Sequence, residues 1–398
     1  MKYFNSLILI IVLSLLMPHS SAQVINPLDV FSVSQTPDYW PTEGWLQSTA
    51  EEQEVNGTLL EEMLSFCDTY DLNMQGLMVV RNGYIVFEEY PDSEFNESSL
   101  SNTWSVTKSI ISLLFGIALE EGYISSLDQT MVSFFPERTI ANLDSQKESI
   151  TLRHLLTMKS GFQWGASDWT LMSQSSDWVQ YALDKPMSDA PGETWNYNNG
   201  AVHILSAILN KTTGMTTSTF ADTHLFQPLG IDEYEWEVDP QGVDYGPSGL
   251  QLTVRDMAKI GFLCLNNGTW DVEQVISAEW VENSTTAYTT GCSGGGFEGE
   301  YGYLWWTKAS YNAYCAYGSY GQWIWVFPDY SMVFVTKSSQ SAIPIDYLIA
   351  DYIIPSVNST DETARTDHLI IDLFIIGAGV SIAVIAIGIG WFVKVRKT

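Results

Sequence analysis

The stretch TWSVTKSIISLLFGIALEEG, residues 103–122, combines a serine, a lysine three residues later and a long apolar run. Its apolar residues surround nearly all sides of the helix that the pattern predicts from about residue 105 to 121, so that helix should lie inside the domain. A lysine is rarely buried unpaired, because burial costs several kcal/mol or makes the amine lose its proton. Lys108 therefore either reaches water or uses its proton in chemistry.

Ser105 and Lys108 are the first pair of candidate catalytic residues. Residues three apart share one face of a helix, and a serine in the first turn lies where backbone N–H groups favour a developing negative charge. A partly desolvated lysine on that face can take the serine proton, which is the logic of an activated nucleophile. Of the eleven lysines, only Lys108 has a serine three residues before it. The alternative is a helix cap at Ser105 and a surface-reaching Lys108, but the apolar surroundings favour catalysis.

A second candidate lies in GETWNYNNGAVHILSAIL, residues 192–209. Tyr197 and Asn199 are two residues apart, so they share one side of an extended segment that precedes a helix. A tyrosine can relay a proton, and an asparagine can hold a substrate carbonyl. The Y-x-N pattern is weak alone, since Tyr3 and Asn5 match it by chance.

Strand patterns at both ends of the chain bracket a helical middle. GLMVVRNGYIVFEEY, residues 76–90, alternates around Asn82-Gly83, a strong hairpin signal. Residues 150–214 read as short helices and loops, whereas 301–308 and 313–337 read as strands. The match of Gly291–Gly295 to G-x-S-x-G, with Ser293 as its serine, is set aside, because the glycine-rich residues after it predict a flexible loop near the cleft.

The termini predict an exported, membrane-anchored chain. An apolar run behind Lys2 ends in small residues, and residues 373–393 carry no charge and are followed by the basic KVRK. The lysines and arginine predict a cytoplasmic C-terminus and an extracellular or lumenal ectodomain, hence a single-pass protein of the cell membrane. The predicted segments are a signal peptide (1–22), a leader (23–57), a folded domain (58–356), a stalk (357–368), a transmembrane helix (369–393) and a cytoplasmic tail (394–398).

Composition excludes some classes of partner. The formal net charge of -30 leaves no basic patch for phosphates, so nucleic-acid binding is disfavoured. Neither the cysteines nor the histidines have a metal-ligand spacing, so no metal is predicted. Four cysteines allow three pairings that the sequence leaves open. Six N-x-[ST] sequons agree with an exported glycoprotein.

Joined in order, these pieces resemble the serine beta-lactamase and penicillin-binding-protein superfamily. The resemblance covers residues 59–336 and is closest to the beta-lactamase-related branch of class C enzymes, D-peptidases, esterases and 6-aminohexanoate-dimer hydrolases. The matching segments are WSVTKSI, GYISSLDQTMVSFFPE, ITLRHLLTMKSGFQW, PGETWNYNNGAVHILSAIL, SGLQLTVRDMAKIG and YGYLWW. It implies an α/β (α+β) fold of the beta-lactamase/transpeptidase type, with an antiparallel sheet flanked by helices and an all-helical lobe.

The resemblance also implies roles for individual residues. Ser105 would be the acyl-forming nucleophile, Lys108 its base and Tyr197 the second proton-transfer group. The implied substrate-binding residues are Asn199, Gly318, Ser319 and Gln322. The N–H groups of Ser105 and Ser319 would form an oxyanion hole, and no cofactor is implied.

The match loosens at AYGSYGQW, which aligns with the K-T-G strand of the family. Ala316 stands at the lysine or histidine position and Tyr317 at the threonine position. Without the cation that helps to hold a carboxylate, an uncharged small-molecule or peptide-like ester or amide is favoured as substrate. Two alternatives stay open: a beta-lactamase or D-amino-acid peptidase, and a non-catalytic binding or receptor protein that retained the fold.

Overall fold

The computed structural model of the chain describes residues 37–294, 297–340 and 343–358. The predicted signal peptide, transmembrane helix and cytoplasmic tail lie outside the described residues, as does most of the predicted stalk.

Within these described ranges, no helix is long and apolar enough to cross a bilayer. The two longest span 15 residues each, and their length of about 22 Å falls short of a hydrocarbon core of about 30 Å. The structure therefore does not support the predicted single-pass membrane localisation or the bilayer as a partner.

The centre of the molecule is an antiparallel sheet of eight strands. The thirteen strands seen in the described ranges are β1 (Met74–Arg81), β2 (Tyr84–Glu89), β3 (Ser101–Asn102), β4 (Glu235–Trp236), β5 (Leu250–Leu252), β6 (Thr269–Trp270), β7 (Glu273–Gln274), β8 (Thr289–Gly294), β9 (Phe297–Tyr301), β10 (Trp306–Lys308), β11 (Ala313–Gly318), β12 (Gln322–Phe327) and β13 (Met332–Ser338). The large sheet has the order β2-β1-β13-β12-β11-β10-β9-β8. It joins distant parts of the chain, because β1 pairs with β13.

Helices cover the sheet and build a separate lobe. The α-helices of the described ranges are α1 (Gly57–Thr69), α2 (Val106–Glu120), α3 (Ser145–Glu148), α4 (Leu152–Leu156), α5 (Asp168–Ser173), α6 (Trp178–Leu183), α7 (Asn199–Thr213), α8 (Thr217–Ala221), α9 (Val254–Leu265), α10 (Ala278–Thr285), α11 (Ile345–Leu348) and α12 (Ile354–Asn358). Helices α2 and α9 pack on the sheet, whereas α3 to α8 form the helical lobe between β3 and β4. The predicted fold class, an antiparallel sheet with a helical lobe, is confirmed.

Local sequence signals explain several of these elements. Asn82 and Gly83 adopt left-handed φ angles of 52° and 90°, as the tight turn between two antiparallel strands requires. Helix α9 ends just before Asn267, which is also left-handed with a φ of 53°. The predicted hairpin is confirmed.

A small three-stranded sheet positions the start of α2. Strand β3 pairs with β5, and Thr103 then donates both its N–H and its hydroxyl to the carbonyl of Leu250. Helix α2 begins two residues after Trp104 and is buried along almost its whole length. The residues that precede α2 are therefore held on a rigid support.

The glycine-rich segment differs from its prediction. Residues 289–294 and 297–301 form β8 and β9 at the edge of the large sheet, and so Ser293 lies within a strand rather than in a flexible loop. Phe297 and Tyr301 supply apolar side chains that contact Trp306, which outweighs the weak strand preference of the glycines. Residues 302–305 form a turn instead of the predicted strand, with Leu304 left-handed at 61°.

The described part of the predicted leader, from residue 37, packs on the domain. Both Trp40 and Trp45 contact Phe262.

The four cysteines are buried and form no disulfide bond. Burial raises the pKa of the Cys67 and Cys264 thiols to about 12, which keeps both thiols protonated and unreactive at neutral pH.

Candidate active site

Ser105 lies directly before α2, and its hydroxyl does not cap the helix. Its side chain makes no capping hydrogen bond to the helix. The preceding residue, Trp104, has a left-handed φ of 50°, so the backbone turns sharply between β3 and α2. This turn presents the hydroxyl at the helix N-terminus, where unpaired N–H groups and the dipole favour a negative charge.

Lys108 points back to Ser105 from one turn into the helix. Only 1% of its surface is exposed. Its Nζ donates to Ser105 Oγ over 2.8 Å and to the carbonyl oxygen of Pro247 over 2.7 Å. Burial lowers the pKa of Lys108 well below its ordinary value, because the charged form is poorly solvated there. The side chain does not snorkel to water, so a surface role is excluded by its geometry.

Tyr197 completes a group of three around the serine hydroxyl. Its hydroxyl is hydrogen-bonded with Ser105, and burial, the larger effect, raises the pKa of the phenol. The Lys108 Nζ lies 4.8 Å from the centroid of the Tyr197 ring, which is a cation–π distance. Tyr197 therefore stays a neutral phenol at neutral pH and can donate a proton.

The segment before α7 is held in place by its asparagines. Asn198 accepts from the N–H of Ala201 over 3.0 Å and caps the helix, and Asn196 donates to the carbonyl of Trp164 over 3.0 Å. Asn199 is the first residue of α7. Its Oδ1 is buried and has no hydrogen-bond partner among the described residues, so it is an acceptor still available to a ligand.

The turn between β11 and β12 brings the third group of predicted residues to the serine. A Cβ atom built on Gly318 would lie 2.3 Å from the carbonyl oxygen of Thr103 and 3.1 Å from the nitrogen of Ser105. Only glycine permits this approach. Ser319 follows and is exposed. Its N–H and that of Ser105 are the two groups that the sequence predicts as an oxyanion hole.

Gln322 lies beneath this turn and supports it. The side chain is 2% exposed, and its Nε2 donates to the carbonyls of Tyr320 and Ser338 over 2.9 and 2.7 Å. Its Oε1 has no partner within the described ranges. These contacts favour a supporting role for Gln322; its contact with substrate stays a prediction.

The wall beside the serine is aromatic where the sequence lacks the family cation. Ala316 is fully buried in β11. The next residue, Tyr317, stacks on Trp323 with ring centroids 3.9 Å apart, and Phe297 lies 4.9 Å from Trp323. Clusters of three or more potential metal ligands do not occur within the described ranges.

The sequence did not predict two groups that support the site, a backbone carbonyl and a buried lysine. The Pro247 carbonyl that accepts from Lys108 lies 139 residues further along the chain, and no local pattern could reveal it. Lys337 on β13 is almost fully buried and donates to the carbonyls of Ser101 and Leu252 over 2.8 and 2.6 Å. It joins β13 to the strand that leads to Ser105. A lysine near the end of a strand that begins with four apolar residues was the one available signal.

Comparison with known families supplies the context for this geometry. The family model described as Beta-lactamase matches residues 71–351. The chain belongs to the beta-lactamase family. The family predicted from the motifs is thus confirmed.

Individual relatives are distant. The 6-aminohexanoate-dimer hydrolase of Paenarthrobacter ureafaciens is 24% identical over 281 residues, which cover 66% of this chain and 71% of that protein. Esterase EstB of Burkholderia gladioli is 29% identical over 176 residues, or 39% of this chain and 44% of the esterase.

A solved structure agrees on the fold. The octameric penicillin-binding protein homologue from Pyrococcus abyssi aligns with a TM-score of 0.61 and 20% identity, over 75% of this chain and 76% of that one. At this identity the likeness shows the fold alone.

Proposed function

We propose that this chain is a serine hydrolase that cleaves an uncharged ester or amide through an acyl-enzyme on Ser105. The observation that carries the proposal is the buried amine of Lys108, which lies 2.8 Å from Ser105 Oγ. A lysine whose pKa is lowered by burial can be neutral near pH 7, and a neutral amine at this distance can act as general base.

In the acylation step, Lys108 takes the proton of Ser105 as Oγ attacks the substrate carbonyl. The new C–O bond makes a tetrahedral intermediate, whose oxyanion would accept from the N–H groups of Ser105 and Ser319. When the intermediate collapses, Tyr197 gives its proton to the leaving alcohol or amine. The Lys108 ammonium then returns a proton to Tyr197, and both groups regain their starting states.

Deacylation uses the same groups with water as the nucleophile. Lys108 takes a proton from the water that attacks the acyl carbonyl, and the second tetrahedral intermediate forms in the same oxyanion hole. Its collapse breaks the bond to Ser105 Oγ, which recovers a proton from the Lys108 ammonium. The product acid leaves and the free enzyme is restored.

Two features support an uncharged substrate. Ala316 offers no cation at the position where the family resemblance expects one, and the neighbouring Tyr317–Trp323 stack is aromatic and uncharged. The names of the relatives, a 6-aminohexanoate-dimer hydrolase and an esterase, indicate amide and ester bonds as their substrates. The unpartnered Oδ1 of Asn199 suits a donor on the substrate, such as an amide N–H.

Activity-based labelling tests this proposal without knowledge of the substrate. The full chain is treated with a fluorophosphonate probe and, in parallel, with a fluorescent penicillin. The variants are Ser105→Ala and Lys108→Met, the latter chosen because methionine keeps most of the buried volume. Ser112→Ala is the matched control, since Ser112 lies on the same helix and its buried hydroxyl has no partner in the described ranges.

We expect fluorophosphonate labelling of the wild type and of Ser112→Ala, and none of Ser105→Ala. Lys108→Met should label at least about 10³-fold more slowly, as loss of one member of a nucleophile–base unit does elsewhere. Strong penicillin labelling would instead favour the beta-lactam-recognising alternative. A folded wild type that reacts with neither probe would overturn the acyl-enzyme mechanism and favour a binding protein.

A further inference from the structure

The two residues of the proposed oxyanion hole each have an aromatic neighbour with an unusual backbone. Trp104 precedes Ser105 with a φ of 50°, and Tyr320 follows Ser319 with a φ of 61°. In the described part of the chain, these are the two aromatic residues with left-handed φ angles. Bulky side chains rarely adopt this conformation, which glycine and asparagine tolerate far better.

The turn at Tyr320 makes the choice of residue informative. Tyr320 and Gly321 are both left-handed, at 61° and 78°, which is the pattern that Asn-Gly normally satisfies in a tight hairpin turn. A tyrosine here costs conformational energy that asparagine would avoid. Such a cost persists where the surrounding structure uses the side chain, so the ring of Tyr320 needs a role.

The rings of these two residues contact each other across the site. Their centroids lie 5.0 Å apart with the planes tilted by 50°, within the range of favourable aromatic pairs. Trp104 is half-buried and Tyr320 is 41% exposed. The contact joins the chain at the start of α2 to the tip of the β11–β12 hairpin, and these are the two segments that carry the N–H groups of Ser105 and Ser319.

Each side of the contact is also anchored to its own element. The Trp104 N–H donates to Asn102 Oδ1 over 2.6 Å, and the Trp104 carbonyl accepts from the Thr107 hydroxyl over 2.7 Å. On the hairpin, Gln322 donates to the Tyr320 carbonyl and Thr336 donates to the Gly321 carbonyl. The ring pair thus links two backbones that are already rigid.

We propose that Trp104 and Tyr320 are positioning residues that set the separation of the two oxyanion-hole N–H groups through their ring contact. The inference rests on the proposed function. Neither ring takes part in bond making: each orients the backbone of its neighbour. Because a small misplacement of oxyanion donors is costly, loss of the contact should lower the rate of acyl transfer more than the affinity for substrate.

Steady-state hydrolysis of p-nitrophenyl acetate by the full chain tests this role. Tyr320→Asn keeps a residue that tolerates the left-handed turn but removes the ring, and Trp104→Asn does the same on the other side. We expect each to lower kcat by about 10-fold with a small change in KM. The double variant should lose little more than either single one, since both remove the same contact. Tyr320→Phe keeps the ring and should recover most of the loss.

Tyr123→Asn is the matched control. Tyr123 is 36% exposed, and its ring contacts Phe220, which is not one of the candidate site residues. It should leave kcat unchanged. Circular dichroism and thermal unfolding identify any variant that fails to fold, and Tyr320→Phe keeps the test informative in that case.

The outcomes separate the two proposals. A wild type that hydrolyses the ester while Tyr320→Asn retains full kcat overturns the positioning role alone. A rise in KM for a bulky ester, without loss of kcat on the acetate, assigns Tyr320 to substrate contact and also overturns it. A wild type with no esterase activity and no fluorophosphonate labelling overturns the proposed function and the positioning role with it.

Discussion

Gly318 and Ser105 lie against each other so closely that no side chain fits between their backbones. A Cβ atom on Gly318 would lie 3.1 Å from the Ser105 nitrogen and 2.3 Å from the carbonyl oxygen of Thr103. The second distance is shorter than any real Cβ contact, and backbone atoms on a rigid support cannot move aside cheaply. The end of β11 and the start of α2 therefore act as one unit.

Gly318→Ala is accordingly expected to push the hairpin away from Ser105. If the backbone yields by about 1 Å, the rate should fall on the order of 100-fold. Ester hydrolysis and fluorophosphonate labelling measure the effect. Gly165→Ala serves as the control, because its added Cβ would meet Asp168 at an ordinary 3.8 Å. Full activity of Gly318→Ala would mean that the two backbones need not touch for catalysis.

The pH dependence of acylation should follow Lys108. Burial lowers its pKa well below 10.5, and only the neutral amine can take the Ser105 proton. The rate should therefore rise with pH through this lowered pKa and reach a plateau well below pH 10.5. Because burial raises the pKa of Tyr197, its phenol should not cause a fall at mildly alkaline pH.

The profile of kcat/KM against pH for p-nitrophenyl acetate checks this expectation. Tyr197→Phe keeps the ring next to Lys108 but removes the hydroxyl, so the plateau value of kcat/KM should drop by about 100-fold or more. The increase of kcat/KM with pH should remain in this variant, because Lys108 is unchanged. A wild-type rate that falls as pH increases from 6 to 9 would contradict the assignment of Lys108 as base.

The stability of the fold should depend on pH through Lys337. Burial lowers the pKa of Lys337 to about 7, and the charge of Asp256 opposes that effect. Between about pH 7 and 10.5 the unfolded chain then holds a proton on this lysine that the native state lacks, so the free energy of unfolding rises with pH in this window.

Lys337→Met should flatten that rise, which urea unfolding at pH 7 and pH 9.5 would measure. Lys211→Met is the control, because Lys211 is 37% exposed and pairs with Glu137 at the surface. An equal pH dependence in the wild type and Lys337→Met would show that this lysine is not the responsible group. The substitution also removes the hydrogen bonds that Lys337 donates to the carbonyls of Ser101 and Leu252, so a lower stability at both pH values is expected.

The sequence predicted some of the fold well because the relevant contacts are local. The hairpin at Asn82-Gly83 requires only left-handed residues between alternating strands, and α2 follows from a continuous apolar pattern. The edge hairpin at residues 289–301 was predicted as a loop. Its strands depend on aromatic packing against Trp306, which comes from outside the segment.

For the candidate site, the sequence alone determined that Ser105 and Lys108 share one face of a buried helix, since a spacing of three residues sets this locally. Only the tertiary structure decided which distant groups meet there. Pro247 supplies a carbonyl to Lys108, Tyr197 brings its hydroxyl to Ser105, and Gly318 closes against the backbone. These contacts depend on how the sheet and the helical lobe pack together, and the periodicity of a single segment carries no information on such packing.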